Sequence, residues 1–421
     1  MKNEKTIIEE LKERHVFVDM TGDNGLEELL TKEEKLVVYC GFDPTADSLH
    51  VGSLLPLVNM KRFIDHGHKV IALVGGATGL IGDPSFKDSE RGLNSVEKVE
   101  EFKAGIRKQI VSILGEEVLV VDNLEWTQSM DVITFLRDIG KHFTVNKMIA
   151  KESVKQRIGR EGSGLSFTEF SYQLLQGMDF LKLKEKFGCN LQIGGSDQMG
   201  NITAGTGLIH RVMGHEEAAF GLTTKLLTKS DGTKFGKSES GTVWLDPKKT
   251  SPFDFFQFWL KTTDEDVYNF LNFFSKMTPN EIEELKEEDK NRRPEAQSIL
   301  AKEMTLMVHG EEGLQEALLV TNAMVSGDFS GLEPKMLENV VAGLDTVTLE
   351  EGIELPIALV ESGLATSRKK AREFINKNAI SINGEKISDQ DLKLTFEHSV
   401  HNKFIFLKRG KRNMATIILS K

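Results

Sequence analysis

Short, unbroken apolar runs alternate with helical patterns along the first half of the chain. Four such runs, each flanked by Gly, Asp or Pro, are LVVY at 36–39, VIALVGG at 70–76, VLVVD at 118–122 and LQIGG at 191–195. Strands buried on both faces of a parallel sheet have this pattern. Their alternation with helices predicts an α/β fold with a doubly wound, Rossmann-like parallel sheet. Because ligands bind beyond the carboxyl ends of such strands, functional residues are expected directly after each run.

The pattern becomes purely helical from about residue 252. A capping box with proline at the first helical position begins at Thr278. Near the end of the chain, the sequence predicts a helix around 367–377 and then a strand that enters a tight Asn-Gly turn in ISINGEK at 380–386. The domains predicted are an α/β domain over 1–224, a glycine-rich loop and linker over 225–251, a helical domain over 252–327, a linker over 328–350 and a small α+β domain over 351–421.

Charge is distributed unevenly along the 421 residues. The whole chain has a formal net charge of −11, whereas residues 351–421 contain 13 Lys and Arg against 8 Asp and Glu. A basic tail on an acidic body is compatible with a polyanion bound locally. The two cysteines, Cys40 and Cys189, exclude a disulfide framework and favour the reducing cytoplasm. No apolar run approaches the roughly 20 residues of a membrane helix, so no membrane is expected.

The stretch YCGFDPTADSLHVGS, residues 39–53, follows the first run. A proline turn leads to His50, and Gly52 stands where a helix is expected to begin, with free N–H groups that suit a phosphate. Thr45 and His50 could donate hydrogen bonds to phosphate oxygens. Taken alone, these residues fit a capped helix with a surface histidine better.

The segment KFGKS, residues 234–238, lies within a run of glycines, serines and lysines. Lys234 and Lys237 could clamp a phosphate chain while charge moves onto it. In isolation, a solvated lysine loop is the better interpretation.

A further capping box, Ser166 to Glu169, predicts a helix start. Tyr172, Gln176 and Asp179 then lie at i, i+4 and i+7, on one helical face. A phenol, an amide and a carboxylate aligned in this way suggest a binding surface. The alternative is a polar exposed face, with the neighbouring Phe and Leu residues forming the buried one.

Two more motifs follow strands. The glycines of GGSDQ, residues 194–198, let a ligand approach the backbone closely, and the Asp and Gln that follow suit a ribose and an amino acid. GLIGDP at 79–84 offers Asp83 as a partner for an ammonium group.

The order of these motifs is more specific than any one of them. Together with Lys87 and Arg91 after the Gly-Asp-Pro turn, they resemble bacterial tyrosyl-tRNA synthetases, class I aminoacyl-tRNA synthetases, over essentially the whole chain. The resemblance extends to SPFDFFQFW at 251–259, HGEE at 309–312 and SRKKAR at 367–372. The last of these resembles an S-four-like RNA-binding module.

The resemblance implies roles for individual residues. The tyrosine substrate would contact Tyr39, Asp83, Tyr172, Gln176, Asp179 and Gln198. Adenosine and ATP would contact Cys40, Gly41, Asp43, Gly52, Ser53, Gly195, Asp197, Lys237 and Ser238. The phosphates would face Thr45, His50, Lys87, Arg91, Lys234 and Lys237.

The same resemblance implies the reaction and its partners. L-tyrosine and ATP would form tyrosyl-adenylate and pyrophosphate, and tyrosine would then pass to the 3′ end of tRNA(Tyr). Mg²⁺ would bind with the phosphates, and no protein-held metal is expected. Residues 252–327 would contact the anticodon, 351–421 would bind RNA, and an apolar stretch at 130–145 would form the interface of a homodimer.

Three residues depart from the family pattern. Ser53 replaces a histidine or asparagine, Met199 replaces a tryptophan, and Asn378 stands at a glycine position, where asparagine still tolerates the left-handed conformation. The alternatives are a catalytically inactive RNA-binding regulator, a tryptophanyl enzyme of the same class and a nucleotidyltransferase that does not act on RNA. The intact motifs argue against an inactive regulator. The Tyr39/Asp179 pair and the basic tail argue against a tryptophanyl enzyme, and the basic tail also argues against a nucleotidyltransferase that does not act on RNA.

Overall fold

The computed structural model describes residues 5–22, 25–32, 34–81, 94–151, 154–155, 158, 165–228, 230, 235–238, 241–410 and 413–420, with 237 and 238 described by their backbone. The chain divides into two compact units. The first contains residues 1–250 and 258–308, and the second contains 251–257 and 309–421.

A six-stranded sheet forms the centre of the first unit. Its strands are β1 (Phe17–Met20), β2 (Val37–Phe42), β3 (Lys69–Val74), β4 (Leu119–Asp122), β5 (Leu191–Gly195) and β6 (Phe220–Thr224). They lie in the order β1-β6-β5-β2-β3-β4, parallel except for β1, which runs antiparallel to β6. The chain order reverses between β2 and β5, which makes their carboxyl ends the switch point of a doubly wound sheet. The α/β fold predicted from the apolar runs is confirmed.

The other elements described before residue 327 are helices and a short hairpin. The helices are α1 (Ile7–Glu13), α2 (Gly25–Thr31), α3 (Leu54–Asp65), α4 (Val96–Leu114), α5 (Leu124–Thr127), α6 (Val132–Thr134), α7 (Val145–Ile149), α8 (Phe167–Phe187), α9 (Met199–Met213), α10 (Pro252–Leu260), α11 (Val267–Phe274), α12 (Pro279–Asp289) and α13 (Ala296–Ser326). A π-helical turn, Phe135–Ile139, follows α6, and β7 (Lys237–Ser238) pairs with β8 (Gly241–Thr242). The division between the units falls within α10 and α13, the latter kinked at Gly310.

Both predicted capping boxes are present and explain where two helices start. The hydroxyl of Ser166 accepts a bond from the backbone N–H of Glu169, and the Glu169 carboxylate accepts one from the N–H of Ser166. Thr278 and Glu281 form the same pair at the start of α12. Each pair satisfies N–H groups that a helix start leaves unbonded.

The second unit contains a five-stranded sheet and three short helices of its own. Its elements are α14 (Pro334–Ala342), β9 (Asp345–Glu350), α15 (Leu355–Glu361), α16 (Arg368–Asn376), β10 (Ile380–Ile382), β11 (Glu385–Lys386), β12 (Phe404–Arg409) and β13 (Asn413–Ser420). The strand order is β11-β10-β12-β13-β9, with β9 parallel to β13. Asn383 and Gly384, both at positive φ, form the predicted tight turn, and Asn378 takes the left-handed φ of 52° expected of it. Within the described ranges, no helix is long and apolar enough to cross a bilayer.

Candidate active site

The carboxyl ends of β2 and β5 bring together residues that are distant in sequence. Tyr39 lies opposite Gln192 in the register of the two strands. Gly41 is exposed near the end of β2, with no atom within 4 Å of the place where a Cβ would stand. Gly194 and Gly195 end β5. The switch point is therefore open to a ligand on the β2 side.

Tyr39 and Asp179 form the buried end of this site. Tyr39 is 1% exposed and Asp179 2%. The Tyr39 hydroxyl has no hydrogen-bond partner among the described residues. Burial raises the pKa of Tyr39 well above 10, and the negative charge of Asp179 adds to the rise, so the two groups are close enough to interact. A buried hydroxyl without a partner is costly unless a ligand completes it.

Two side chains that the sequence analysis did not single out hold the Asp179 carboxylate. Trp126 Nε1 donates to Oδ1 at 2.8 Å, and Asn123 Nδ2 donates to Oδ2 at 3.0 Å. Burial nevertheless raises the pKa of Asp179 to about 7, because these two hydrogen bonds offset desolvation only in part. Each oxygen still has a lone pair, so the carboxyl can accept a further donor such as a phenol.

A hydrogen-bond chain continues from Asn123 towards the end of β2. Asn123 Nδ2 also donates to Thr78 Oγ1 at 3.1 Å, and Thr78 donates to Asp43 Oδ1 at 2.7 Å. The hydroxyl of Tyr172 donates to Asp43 Oδ2 at 2.8 Å. Asp43 and Asp179, for which the sequence analysis gives separate roles, are thus linked through Thr78 and Asn123.

The face of α8 that bears polar side chains is turned inward. Tyr172 is 7% exposed, and Gln176, half-buried, has a carbonyl oxygen without a partner among the described residues. The alternative of a polar exposed face is therefore wrong, because Asp179 and Tyr172 are as buried as the leucines beside them.

His50 caps the turn that leads into α3. Its Nδ1 accepts a hydrogen bond from the N–H of Gly52 at 3.0 Å. The residue as a whole is exposed, but desolvation of its ring by the surrounding protein lowers the pKa of the imidazole below 6.5. The imidazole is therefore neutral at pH 7. With Nδ1 an acceptor, the proton of the neutral ring is on Nε2, which can donate to an anion. Thr45 is exposed and Ser53 half-buried close to this turn in the chain.

The GGSDQ motif turns from β5 into α9. A short 3-10 turn spans Ser196–Gln198. Any side chain at Gly195 would come within 2.5 Å of Asp197 Oδ1, which explains the glycine. Asn201 Nδ2 donates to Gln198 Oε1 at 3.2 Å and orients that amide.

Backbone hydrogen bonds of Val243 join the turn after His50 to Gly236 of the KFGKS segment. Val51 donates its N–H to the Val243 carbonyl at 3.0 Å, and Val243 donates its N–H to the Gly236 carbonyl at 3.0 Å. His50 also pairs with Trp244 as an isolated β-bridge. Gly236, with a φ of +90°, lies so close that a Cβ there would be 3.0 Å from Val51 Cγ2. The two motifs are therefore neighbours in space.

Some of the predicted site residues are not among those that the structure describes. Asp83, Lys87, Arg91 and Lys234 lie outside the described residues, and only the backbone of Lys237 and Ser238 is described. Cys40 is buried on β2, where desolvation raises the pKa of its thiol to about 12. It is therefore a neutral, unreactive thiol at physiological pH.

Four polar residues were missed by the sequence analysis: Thr78, Asn123, Trp126 and Gln192. Gln192 is 3% exposed and its carbonyl oxygen has no partner among the described residues. Asn123 and Trp126 could have been found, because they follow the run VLVVD just as the other motifs follow theirs.

Comparison with known proteins identifies the family. The model for class I tRNA synthetases (W and Y) matches residues 31–326, and that for the tyrosine–tRNA ligase SYY-like C-terminal domain matches residues 336–417. The chain is 52% identical to the tyrosine–tRNA ligase of Escherichia coli O139:H28 over 98% of both chains, and to that of Shigella boydii serotype 18 to the same extent.

Solved structures give the same result for the fold. A C-terminally truncated mitochondrial tyrosyl-tRNA synthetase of Aspergillus nidulans superposes with a TM-score of 0.67 at 29% identity, covering 76% of this chain and 94% of that one. A tryptophanyl-tRNA synthetase of Encephalitozoon cuniculi, 14% identical with a TM-score of 0.54 over 73% and 87% of the two chains, shares the fold. With near-complete coverage by tyrosine-specific relatives and a tyrosine-specific C-terminal model, the chain belongs to the tyrosine–tRNA ligases, ATP-dependent class I aminoacyl-tRNA synthetases.

Proposed function

We propose that this chain activates L-tyrosine with ATP at the switch point between β2 and β5 and transfers it to tRNA(Tyr). The observation that carries the assignment of the site is the buried pair Tyr39 and Asp179, in which a hydroxyl lacks a partner among the described residues. A substrate phenol between them would accept from Tyr39 and donate to Asp179. The alternative of an inactive RNA-binding regulator is not favoured by 52% identity to ligases along nearly the whole chain.

The same pair would explain why phenylalanine is rejected. Without the substrate hydroxyl, Tyr39 and Asp179 would remain buried and incompletely bonded. Sites of this kind discriminate by about 10⁴–10⁵ without editing, and tyrosyl-tRNA synthetases are themselves the reference case for that magnitude. Gln176, Tyr172 and Asp83 would hold the substrate ammonium, and Gln198 would lie near its carboxylate.

Activation requires no general base, because the substrate carboxylate is already ionised at neutral pH. One carboxylate oxygen would attack the α-phosphorus of ATP, and the bond to the bridging oxygen would break as pyrophosphate leaves with its electrons. Residues that would stabilise the phosphate charge are Thr45, His50, Lys87, Arg91, Lys234 and Lys237. The ribose hydroxyl at the end of the transfer RNA would then attack the acyl carbon and release AMP.

Magnesium would enter with the nucleotide. Mg²⁺ keeps several waters and binds through substrate phosphates and one or two carboxylates. The described residues contain no group of three or more His, Cys, Asp or Glu that could hold a metal ion by themselves. Phosphate oxygens would therefore be its main ligands, and its charge would help pyrophosphate to leave.

Three surfaces would serve macromolecular partners. On α16, the exposed side chains of Arg368, Lys369, Lys370 and Arg372 follow one another and suit an RNA backbone. The helical segment 252–327 would contact the anticodon. In the first unit, Val132, Ile133 and Leu136 are 67%, 66% and 52% exposed, an apolar face that a second copy would cover in a cytoplasmic homodimer.

The test is ATP–pyrophosphate exchange with each of the twenty amino acids. Exchange with tyrosine alone is expected. Asp179→Asn should then reduce exchange by roughly 10²-fold or more, because the phenol loses its charged acceptor. The exposed Asp328→Asn is the matched control and should retain full activity. An active Asp179→Asn enzyme that still rejects phenylalanine would remove Asp179 from this role.

A further inference from the structure

Phe235 stands between Lys234 and Gly236 in a loop otherwise made of lysines, glycines and small polar residues. It is only 9% exposed. Its ring contacts four others, with centroid distances of 5.5, 5.6, 5.0 and 6.2 Å to Phe258, Trp259, Phe270 and Phe274. These four residues, from α10 and α11, are called the aromatic box below.

The aromatic box is a cluster in its own right. Trp259 contacts Phe274 at 5.1 Å and Phe270 at 6.3 Å, and Phe270 contacts Phe274 at 6.2 Å. Four packed rings on two helices form a rigid support. Phe235 adds a ring from the loop to a cluster that already exists, so the contact chiefly fixes the loop.

The residue after Phe235 is fixed from the opposite direction. Gly236 is buried, its carbonyl accepts from Val243, and the position of a Cβ would be 3.6 Å from the backbone nitrogen of Gly52. Phe235 and Gly236 therefore connect two parts of the first unit. One is the aromatic box, and the other is the turn at Val51–Ser53 that follows His50.

We propose that Phe235 is a positioning residue for adenylate formation, because it anchors the loop to the aromatic box at a point beside the turn that follows His50. The inference rests on the proposed function, in which Lys234 and Lys237 act on the phosphates. Both lysines are within two residues of Phe235 in the chain. Charge stabilisation of a transition state depends on donors held in place beforehand, and small misplacements can reduce the rate about 10²-fold.

The first experiment separates positioning from ordinary core packing. In full-length protein, Phe235→Leu should reduce kcat for tyrosine-dependent exchange roughly tenfold or more and leave KM for tyrosine within about twofold. The matched control is Phe63→Leu, which changes a fully buried phenylalanine of α3 whose ring contacts His68. It should lower Tm at least as much, with kcat within about twofold of the parent.

A double-mutant cycle then tests whether Phe235 acts through its contact with the aromatic box. Phe270, the nearest ring of the box, is changed to leucine alone and together with Phe235→Leu. If the anchor acts through this contact, the double variant should be slowed no more than about twofold beyond the slower single variant. Multiplied effects would show independent contributions and overturn the proposal, as would equal kcat losses in Phe235→Leu and Phe63→Leu.

Lys234→Ala and Lys237→Ala distinguish a failure of the inference from a failure of the function. If both slow exchange while Phe235→Leu does not, the lysine roles stand and the anchor is wrong. If neither lysine variant slows exchange, the proposed role of the loop is wrong, and the anchoring inference is overturned with it.

Discussion

Asp179, the proposed acceptor of the substrate phenol, is also expected to be a source of instability. Trp126 and Asn123 each donate to one of its oxygens, yet desolvation raises its pKa to about 7. The same burial would make a hydrogen bond to a substrate phenol strong, because water could not compete for the carboxyl. Selectivity at this residue is therefore expected to lower the stability of the fold above neutral pH.

The raised pKa of Asp179 predicts a pH dependence of stability. The unfolded chain loses this proton near pH 4 and the folded chain near pH 7, so the folded state binds more protons in between. The free energy of unfolding should fall as pH rises through this range, by about 4 kcal/mol at most. Asp179→Asn removes the titration, and urea unfolding at pH 5 and 8 should show a smaller difference than in the parent.

Asp328→Asn is the control for this measurement. Hydrogen bonds from Ser330 lower the pKa of the exposed Asp328, so that carboxyl stays ionised from pH 5 to 8 and its replacement should leave the pH dependence unchanged. Identical slopes for the parent and Asp179→Asn would mean that Asp179 titrates in its ordinary range.

At the scale of elements, α8 carries three residues of the proposed tyrosine site. Its capping box at Ser166 begins six residues before Tyr172, and Gln176 and Asp179 follow on the same face. Ser166→Ala should lower the free energy of unfolding by about 1 kcal/mol. It should also raise KM for tyrosine severalfold, because a frayed first turn loosens the side chains that face the substrate.

The same substitution in α12 is the matched comparison. Thr278→Ala removes an equivalent capping box and should cost a similar ~1 kcal/mol with KM for tyrosine unchanged. Equal changes in KM for both variants would mean that the effect is general loosening and not local to α8.

Elements defined by local signals were predictable, and those defined by distant pairing were not. The four apolar runs became β2 to β5, and both capping boxes start helices. β1 and β6 were missed because their sequences, FVDM and FGLTT, are not unbroken apolar runs, and their antiparallel pairing joins Phe17 to Thr224 across the chain. Likewise the sequence aligns Tyr172 with Asp179 on a helix, but only the fold brings Trp126 against that helix from the end of β4.

At the scale of the whole molecule, the segment 328–350 is the main difference from the sequence-based expectation of a linker. It contains α14 and β9, and β9 pairs with β13 over six residues. Phe329 stacks on Phe406 with centroids 3.9 Å apart, and the Lys408 ammonium donates to the Met324 carbonyl at 2.9 Å. The strand β9 could have been predicted, because polar and apolar side chains alternate along its six residues as they do in a half-buried strand.

This pairing predicts where the C-terminal unit can be cut. A fragment of residues 351–421 would lack β9 and leave β13 as an edge strand paired only with β12, with the apolar contacts of Val347 and Leu349 also lost. A fragment of residues 328–421 keeps the strand and the Phe329–Phe406 stack. We expect cooperative thermal unfolding, followed by circular dichroism, for the longer fragment, and a lower Tm or no cooperative transition for the shorter one.

Two substitutions on β9 in the longer fragment provide the control. Val347→Asp should reproduce the loss of stability by placing a charge against the core, whereas Thr348→Asp, one residue along the strand, should be milder. Equal stability of the two fragments would show that β9 contributes nothing, and that the C-terminal unit begins at residue 351.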